Sequence, residues 1–457
     1  MSRVLLINPP SPERLQTPLL GLQYVAASLL AGGSEVRIID AAACNFRHDH
    51  DWIAAQAREF EPHVIGMGLH TRWVLHAYEL ARELEQSDAL LVAGGPHATA
   101  RPLEPLEHGF DVSLSGEADR SLAGLVEAHA RGLPPESVPG AVALRPDGSV
   151  VTGPPAEHVM DLDELPLPQL AQDLFAPEWY GSPGREIFPG GILTSRGCPH
   201  CCAFCASRVT GRTWRSRAPS RVVHELNLCH ERHGTSFYSF WDDALTADRG
   251  HLLDLCAHLR DGLEFPLRWS CITRADTVDR EMLRAMSDAG CVSVDFGAES
   301  GDDGILAAVG KGLQTEQVVH ALELAKEAGL TTTCSFVLGF PQDTAATLYR
   351  TLGFMKRISP LVDSFSTLGV LVPFPETAVY ENYHERYGFT DWWLREDFSR
   401  LTEMPPVSNK ANFVSNYIDD ANLELDFFRY SDEVRSLIRE CLRFKGEHNL
   451  RVMGLLS

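Results

Sequence analysis

Lysine is scarce in this chain. Of 457 residues only 5 are lysine, against 35 arginines, and the first lysine is Lys311. A lysine Schiff base and a phosphate-loop lysine are thereby excluded from the first two thirds of the sequence. Long apolar runs are also missing. No stretch approaches the ~20 residues that would span a bilayer, and the apolar run in the opening MSRVLLINPP is too short for the core of a signal peptide. Basic charge is outweighed: 62 acidic and 40 basic residues leave a net charge of −22. That balance argues against a generic grip on nucleic acid or on an anionic membrane. A disulfide framework is not indicated either. The cysteines number 11, an odd count; four fall between positions 198 and 205, and most others are isolated on apolar segments. The expectation is a cytoplasmic protein with one thiolate cluster.

Residues 1–133 alternate short apolar runs with amphipathic stretches. Val4–Ile7, Glu35–Ile39, Val64–Met67, Ala89–Ala93 and Asp111–Leu114 read as strands. Leu19–Leu30, Trp52–Phe60, Val74–Leu84 and Leu122–His129 read as helices. This βα alternation implies a parallel sheet covered on both faces, with ligands at the carboxyl ends of its strands. Those ends carry Asn8-Pro9-Pro10, Gly68-Leu69-His70-Thr71, Gly94-Gly95-Pro96-His97 and Ser115-Gly116-Glu117. Such residues let a ligand lie close to the backbone, and they also make ordinary tight turns.

Residues 134–189 hold 11 prolines and read as an extended connector. Asp147-Gly148 marks a small hairpin inside it, between Gly140–Leu144 and Ser149–Thr152. Over 190–384 the alternation resumes with six strand–helix units. The strands are Gly191–Thr194, Phe237–Phe240, Leu267–Ile272, Val292–Phe296, Thr331–Leu338 and Phe365–Val372. Six units fit a complete or partial parallel barrel. Residues 385–457 are rich in aromatics, among them Trp392, Trp393, Phe398, Phe413, Tyr417, Phe427, Phe428 and Tyr430, and end in a helix over Ser431–Phe444. They read either as an extension packed over the barrel mouth or as a plain helical cap.

The most informative segment is Arg196-Gly197-Cys198-Pro199-His200-Cys201-Cys202-Ala203-Phe204-Cys205. Cys198, Cys202 and Cys205 are spaced C-x3-C-x2-C directly after a strand. Three thiolates on a four-iron cube leave one iron open for a substrate or cofactor, whereas a fourth would close it. A zinc site would ask for four ligands, and no second CxxC or HxxxH follows at zinc spacing. Cys201 reads as a bystander beside Cys202. Cys44, Cys229, Cys256, Cys271, Cys291, Cys334 and Cys441 read as small core residues. Arg208, Arg212, Arg215 and Arg217 follow the cluster and would serve either a cofactor phosphate or carboxylate, or a solvated basic loop. Gly304–Gly312 fails the phosphate-loop pattern in both spacing and its final residue.

With C-x3-C-x2-C stand four further pieces in order: Phe240-Trp241-Asp242-Asp243, Phe296-Gly297-Ala298-Glu299-Ser300-Gly301, Leu338-Gly339-Phe340-Pro341-Gln342-Asp343-Thr344 and Pro373-Phe374-Pro375-Glu376-Thr377. Over residues 1 to about 380 the chain resembles radical S-adenosylmethionine (SAM) enzymes with an N-terminal cobalamin-binding domain, the class B radical SAM methyltransferases. The resemblance implies a Rossmann-like cobalamin domain, a (β/α)6 partial barrel and a mainly helical cap. It implies a 4Fe-4S cluster on Cys198, Cys202 and Cys205, SAM on the open iron, and cobalamin. For SAM it points to Asp242 or Asp243 at the amino group, Glu299 at the ribose, Arg274 at the carboxylate and Phe204 on the adenine. For cobalamin it points to Thr71, Gly94, Gly95, Pro96, Ser115, Gly116 and Glu117. Many cobalamin proteins ligate cobalt through the His of D-x-H-x-x-G. No D-x-H occurs in residues 1–132, so the resemblance implies a cobalamin without that ligand.

The activity implied is C-methylation of an unactivated carbon in a small, natural-product type intermediate, as in antibiotic biosynthesis. SAM would serve both as radical source and as methyl donor through methylcobalamin. A cyclase or rrearrangement enzyme without net methyl transfer is the alternative. A methylthiotransferase would bring further N-terminal ligand cysteines, where this chain has only Cys44. The expected partners are the substrate, free or carrier-protein linked, and an electron donor such as flavodoxin or ferredoxin, with neither nucleic acid nor membrane.

Overall fold

The computed structural model describes residues 1–11, 15, 17–43, 49–85, 87–145, 147–180, 191–206, 209–366, 369–396, 420 and 422–456. Cys44, Arg208, Phe398, Phe413 and Tyr417 lie outside them, as do the last residues of the expected connector.

The first sheet has seven strands: β1 (Arg3–Asn8), β2 (Glu35–Asp40), β3 (Val64–Gly68), β4 (Leu90–Gly94), β5 (Val112–Leu114), β6 (Ala141–Leu144) and β7 (Val150–Thr152), in the order β2-β1-β3-β4-β5-β6-β7. The first five run parallel. Val4, Leu5, Leu6 and Ile7 are all buried, as befits a strand covered on both faces. The Asp147-Gly148 hairpin forms as expected from its turn residues, but it extends the first sheet: β6 pairs antiparallel with β5, and β7 antiparallel with β6. The connector is therefore not extended throughout. After the hairpin it proceeds in short 3-10 turns at Leu162–Glu164, Pro168–Leu174 and Pro177–Tyr180.

The second sheet is an open barrel of six parallel strands: β8 (Gly191–Ile192), β11 (Phe237–Phe240), β12 (Arg268–Thr273), β13 (Cys291–Glu299), β14 (Thr331–Phe336) and β15 (Ser364–Phe365). Four of its helices begin on side-chain caps. Asp248, Asp279, Asp302 and Thr344 each accept a hydrogen bond from a first-turn backbone N–H, a contact worth ~1 kcal/mol apiece. Between β8 and β11 lies a short antiparallel pair with no periodic signature, β9 (Ser195–Arg196) and β10 (Arg215–Ser216).

The C-terminal helix Asp432–Val452 packs on Ala345–Ile358 and on β15. Asn449, buried in that helix, accepts from the Phe365 N–H at 2.8 Å and donates to the Phe365 carbonyl at 2.7 Å. The open edge of the barrel is thereby satisfied by one amide side chain. Trp392, Trp393, Phe427 and Phe428 share one apolar core with Ile65, Tyr78 and Leu80 of the first domain and with Val309 and Phe340 of the barrel loops. The aromatic segment thus joins first domain to barrel, rather than serving only as a cap.

A second, ionic contact fixes the same relation. Arg215 donates to both oxygens of Glu117 at 2.9 and 3.0 Å, and Arg196 to both oxygens of Asp119 at 2.8 and 3.0 Å. All four side chains are buried. Burial alone would raise the Glu117 carboxyl; the guanidiniums of Arg215 and Arg196 overcome it and hold the carboxyl below the usual range. Removing one member leaves a buried charge unpaired. Arg215→Ala is therefore expected to lose roughly 3–5 kcal/mol of stability in chemical denaturation; a loss below about 1 kcal/mol would show the pair to be solvated.

Candidate functional site

The pairing of β9 with β10 makes residues 197–214 leave and return at one place. Gly197 opens this loop at φ +88°, and a Cβ there would stand 2.3 Å from the Thr213 carbonyl oxygen, so only glycine fits. Backbone bonds then wrap the chain. Cys198 N–H donates to the Gly211 carbonyl (3.1 Å), Cys205 N–H to that of Cys202 (3.1 Å) and Ala203 N–H to that of Val309 (2.8 Å). Cys198 and Cys202 are half-buried, Cys201 and Cys205 exposed, and the six described cysteines outside the loop are all buried.

Burial pushes the Cys198 and Cys202 thiols up, while Lys311 and Arg274 pull Cys202 the other way. Half-buried thiols of this kind suit a cationic iron centre, which stabilises the thiolates that burial disfavours. Among the described residues no three His, Cys, Asp or Glu side chains are grouped closely enough to hold one metal ion. A four-iron cube takes each thiolate on a different iron, and so asks for ligands set further apart.

Around the loop stand the residues expected at SAM, in mixed situations. Phe204 is half-buried, with its ring centroid 5.5 Å from that of Phe340. Arg274 is clasped by Asp276 at 2.9 and 2.8 Å, and its remaining nitrogen lies 3.7 Å from the Cys202 sulfur. Glu299 sits at φ +63° beside a register irregularity in β13, and its carboxylate takes a 2.7 Å bond from Lys311. Asp243 accepts from Gly197 N–H at 3.0 Å and from the Thr210 hydroxyl at 2.6 Å, so its carboxylate pins the root of the cluster loop.

Asp242 is a correction. Its side chain is buried and accepts from Thr194 N–H (3.1 Å), the Thr194 hydroxyl (2.7 Å) and the Ser195 hydroxyl (2.6 Å). It braces the link from β8 to β9 and is not presented to SAM. Lys311 and Asp276 were not singled out by pattern. The signal for Lys311 is its rarity: a buried lysine, one of only 5 in the chain, in the glycine-flanked turn rejected as a phosphate loop. Of the arginines after the cluster, Arg215 and Arg217 are buried in ion pairs with Glu117 and Glu225, and Arg212 is exposed.

Five of the seven residues expected at cobalamin face a cavity of about 350 Å³ at the carboxyl ends of β1, β3, β4 and β5. Its inner part is lined by Leu6, Gly66, Val92, Leu114 and Leu122, and its mouth by His70, Gly94, Gly95, Pro96, Gly116, Val209 and Thr210. A Cβ at Gly68 or Gly94 would meet no protein atom within 4 Å and would project into open space. A narrow apolar interior under a glycine-rich mouth fits a flat macrocycle with an aromatic tail. Gly94, Gly95, Pro96 and Gly116 line this space. Three of the expected residues are placed differently. Ser115 does not line this cavity; Thr71 lines only the neighbouring one, its hydroxyl 3.1 Å from His97 Nδ1. Glu117 borders the cavity, but both its oxygens are taken by Arg215.

Two predictions follow from this geometry. After anaerobic reconstitution, Cys198→Ala, Cys202→Ala and Cys205→Ala should each lose most bound iron and sulfide, while Cys201→Ala keeps them; loss in Cys201→Ala with retention in Cys202→Ala would contradict the ligand set. Burial also pushes the Asp242 carboxyl up to about 6. Unfolded, it ionises near pH ~4. The native state therefore holds the extra proton in between, and this group's contribution to stability falls as pH rises through that window, by roughly 3 kcal/mol in all. Asp242→Asn removes the titration, so wild type should lose stability relative to the variant between pH ~4 and ~7. A pH-independent difference in denaturation free energy would contradict it.

Comparison with known proteins agrees with both halves of the site. The radical SAM superfamily model matches residues 192–355 and the B12 binding domain model residues 14–126. An uncharacterized methyltransferase of Pyrococcus horikoshii is 29% identical over 91% of this chain and 90% of its own length. An anaerobic magnesium-protoporphyrin IX monomethyl ester cyclase of Rubrivivax gelatinosus is 25% identical over 92% and 77%. Among solved structures, the radical SAM methyltransferase TsrM of Kitasatospora setae, with tryptophan substrate and a SAM analogue bound, superposes with a TM-score of 0.68 at 21% identity, covering 85% of this chain and 77% of that one. The cobalamin-dependent radical enzyme OxsB gives 0.68 at 18%, covering 88% of this chain and 56% of its own. The chain thus carries a radical SAM domain behind an N-terminal B12-binding domain, the arrangement of the cobalamin-dependent radical SAM methyltransferases, and these two domains imply a 4Fe-4S cluster, SAM and cobalamin as its cofactors.

Proposed function

We propose that this protein is a C-methyltransferase acting on an unactivated carbon of a small, natural-product type intermediate. The observation that carries the proposal is that the cluster loop and the cobalamin cavity adjoin. Thr210 lines the cavity, Gly197 opens the cluster loop, and both bond the one carboxylate of Asp243. Arg196, one residue before that loop, lines the same cavity. The bound cofactors supply a carbon-centred radical from SAM at the cluster and a methyl group from cobalamin. This chain's residues set the distance between the two and exclude water from the space they share.

In this reading Cys198, Cys202 and Cys205 hold the cluster. Phe204 packs on the adenine, Arg274 meets the SAM carboxylate beside Cys202, and Glu299, aimed by Lys311, meets the ribose. Asp243 acts as a positioning residue for the loop. Gly94, Gly95, Pro96 and Gly116 take the macrocycle. An electron donor of the flavodoxin or ferredoxin kind would reduce the cluster in the cytoplasm, and the substrate would arrive free or linked to a carrier protein.

The cyclase relatives favour one other reading: the same cofactors in a ring-forming reaction without net methyl transfer. Reconstituted enzyme with cobalamin, reductant, methyl-labelled SAM and a panel of aromatic and carrier-linked acceptors separates the two. Methylation consumes two SAM per product, one ending as 5′-deoxyadenosine and methionine and one as S-adenosylhomocysteine, with label in the product. 5′-Deoxyadenosine and unlabelled product would select the cyclase reading, and absence of 5′-deoxyadenosine would overturn both.

A further inference from the structure

The first domain lacks a D-x-H motif, yet it places one imidazole at the cobalamin cavity. Among its described histidines only His70 lines that space. The others are engaged or placed elsewhere: His63 accepts from Arg3 N–H, His97 is buried between Thr71 and Glu104, and His108 stacks on Tyr78. Both ring nitrogens of His70 are without a hydrogen bond among the described residues.

Four contacts hold the turn that carries His70. On one side Leu69 N–H donates to the Gly94 carbonyl at 2.8 Å, and His97 N–H to the Leu69 carbonyl at 3.1 Å. On the other, the Thr71 hydroxyl meets His97 Nδ1 at 3.1 Å, and His97 Nε2 meets Glu104 at 2.9 Å. The imidazole is thus presented from a fixed backbone, the arrangement that a metal-ligating side chain needs. His70 and Pro96 line this cavity and also a neighbouring one of about 320 Å³, walled by Trp73, Val209 and Phe374. His70 therefore stands at the mouth, where a macrocycle too large for the inner cavity would lie. Burial and, second, the nearby His97 push the His70 imidazole below its ordinary value. It is neutral at pH 7, with a nitrogen lone pair available.

We infer that His70 is a nitrogen ligand of the cobalamin cobalt, on the face turned towards the sheet. The inference rests on cobalamin occupying this cavity, and it departs from the expectation of a cobalt without a protein histidine. A nitrogen donor on that face would stabilise the higher-valent, methyl-carrying cobalt and disfavour the four-coordinate reduced state. His70 would then tune how readily the methyl group is given up.

Electron paramagnetic resonance of the full-length protein, loaded with cobalamin and reduced to cob(II)alamin, tests this without activity. The unpaired electron lies along the axial direction, so an axial nitrogen splits each cobalt line into a triplet. Protein grown on nitrogen-15 histidine should show doublets instead, because that nucleus has half-integer spin. His70→Ala, still binding cobalamin, should lose the His-derived splitting. Bound cobalamin with unsplit lines would overturn the ligand assignment while leaving the cobalamin site in place. So would triplets that persist in the labelled protein, since they would come from the cofactor's own benzimidazole. Absence of bound cobalamin in the wild type, seen by its visible absorbance after gel filtration, would overturn both.

Discussion

Two carboxylates at the start of one helix hold two arginines at the root of one loop, and the relation between the cofactor sites follows from that contact. Glu117 and Asp119 begin the helix Ala118–Ala130, which closes the cobalamin cavity. Arg196 and Arg215 flank the cluster loop on β9 and β10. The four charges are buried and cancel, and each arginine spends two N–H groups on one carboxylate. A buried quartet of this kind contributes little net stability over an apolar contact, but it fits in one geometry only. Lysine, a single point donor, could not form the paired bonds that fix the angle as well as the distance. The marked preference for arginine has a structural use here, whatever else set it.

Apolar packing holds the same arrangement from the other side. Trp393 donates its indole N–H to Glu104 of the first domain at 3.0 Å, and Glu104 also receives His97 and Tyr78. That network braces the turn bearing Thr71 and His70. The first domain, the barrel loops and the C-terminal aromatics therefore share a core, and the cluster loop borders the cobalamin cavity directly through Val209 and Thr210. Elsewhere, where β8, β9 and β11 meet, Asp242 is buried, and burial raises its carboxyl.

Much of this was legible in the sequence because it is local. Strands such as Val64–Met67, fully covered on both faces, announce themselves as apolar runs, and helices such as Ala345–Ile358 by their period. The expected cluster ligands are local in the same way, three thiols within eight residues of one loop. What could not be read depends on contacts between distant positions. Arg196 and Asp119 are 77 residues apart and Arg215 and Glu117 98 apart, with no local pattern to pair them. Glu117 looked like a ligand-facing residue because strand ends are where ligands bind, and an arginine from another domain claimed it. Asp242 and Asp243 are neighbours with opposite fates. Tyr238 and Phe240 are buried, and that alternation, continued past the end of β11, carries Asp242 inward.

The central claim is that cluster and cobalamin occupy adjoining sites joined through Asp243 and the arginine–carboxylate quartet. Pulsed electron paramagnetic resonance of protein holding both the reduced cluster and cob(II)alamin measures that adjacency directly. The account predicts a resolved dipolar interaction between the two paramagnets, with a single narrow distribution of distances. A spectrum that is the plain sum of the two separately loaded centres, or a broad distribution of distances, would contradict it.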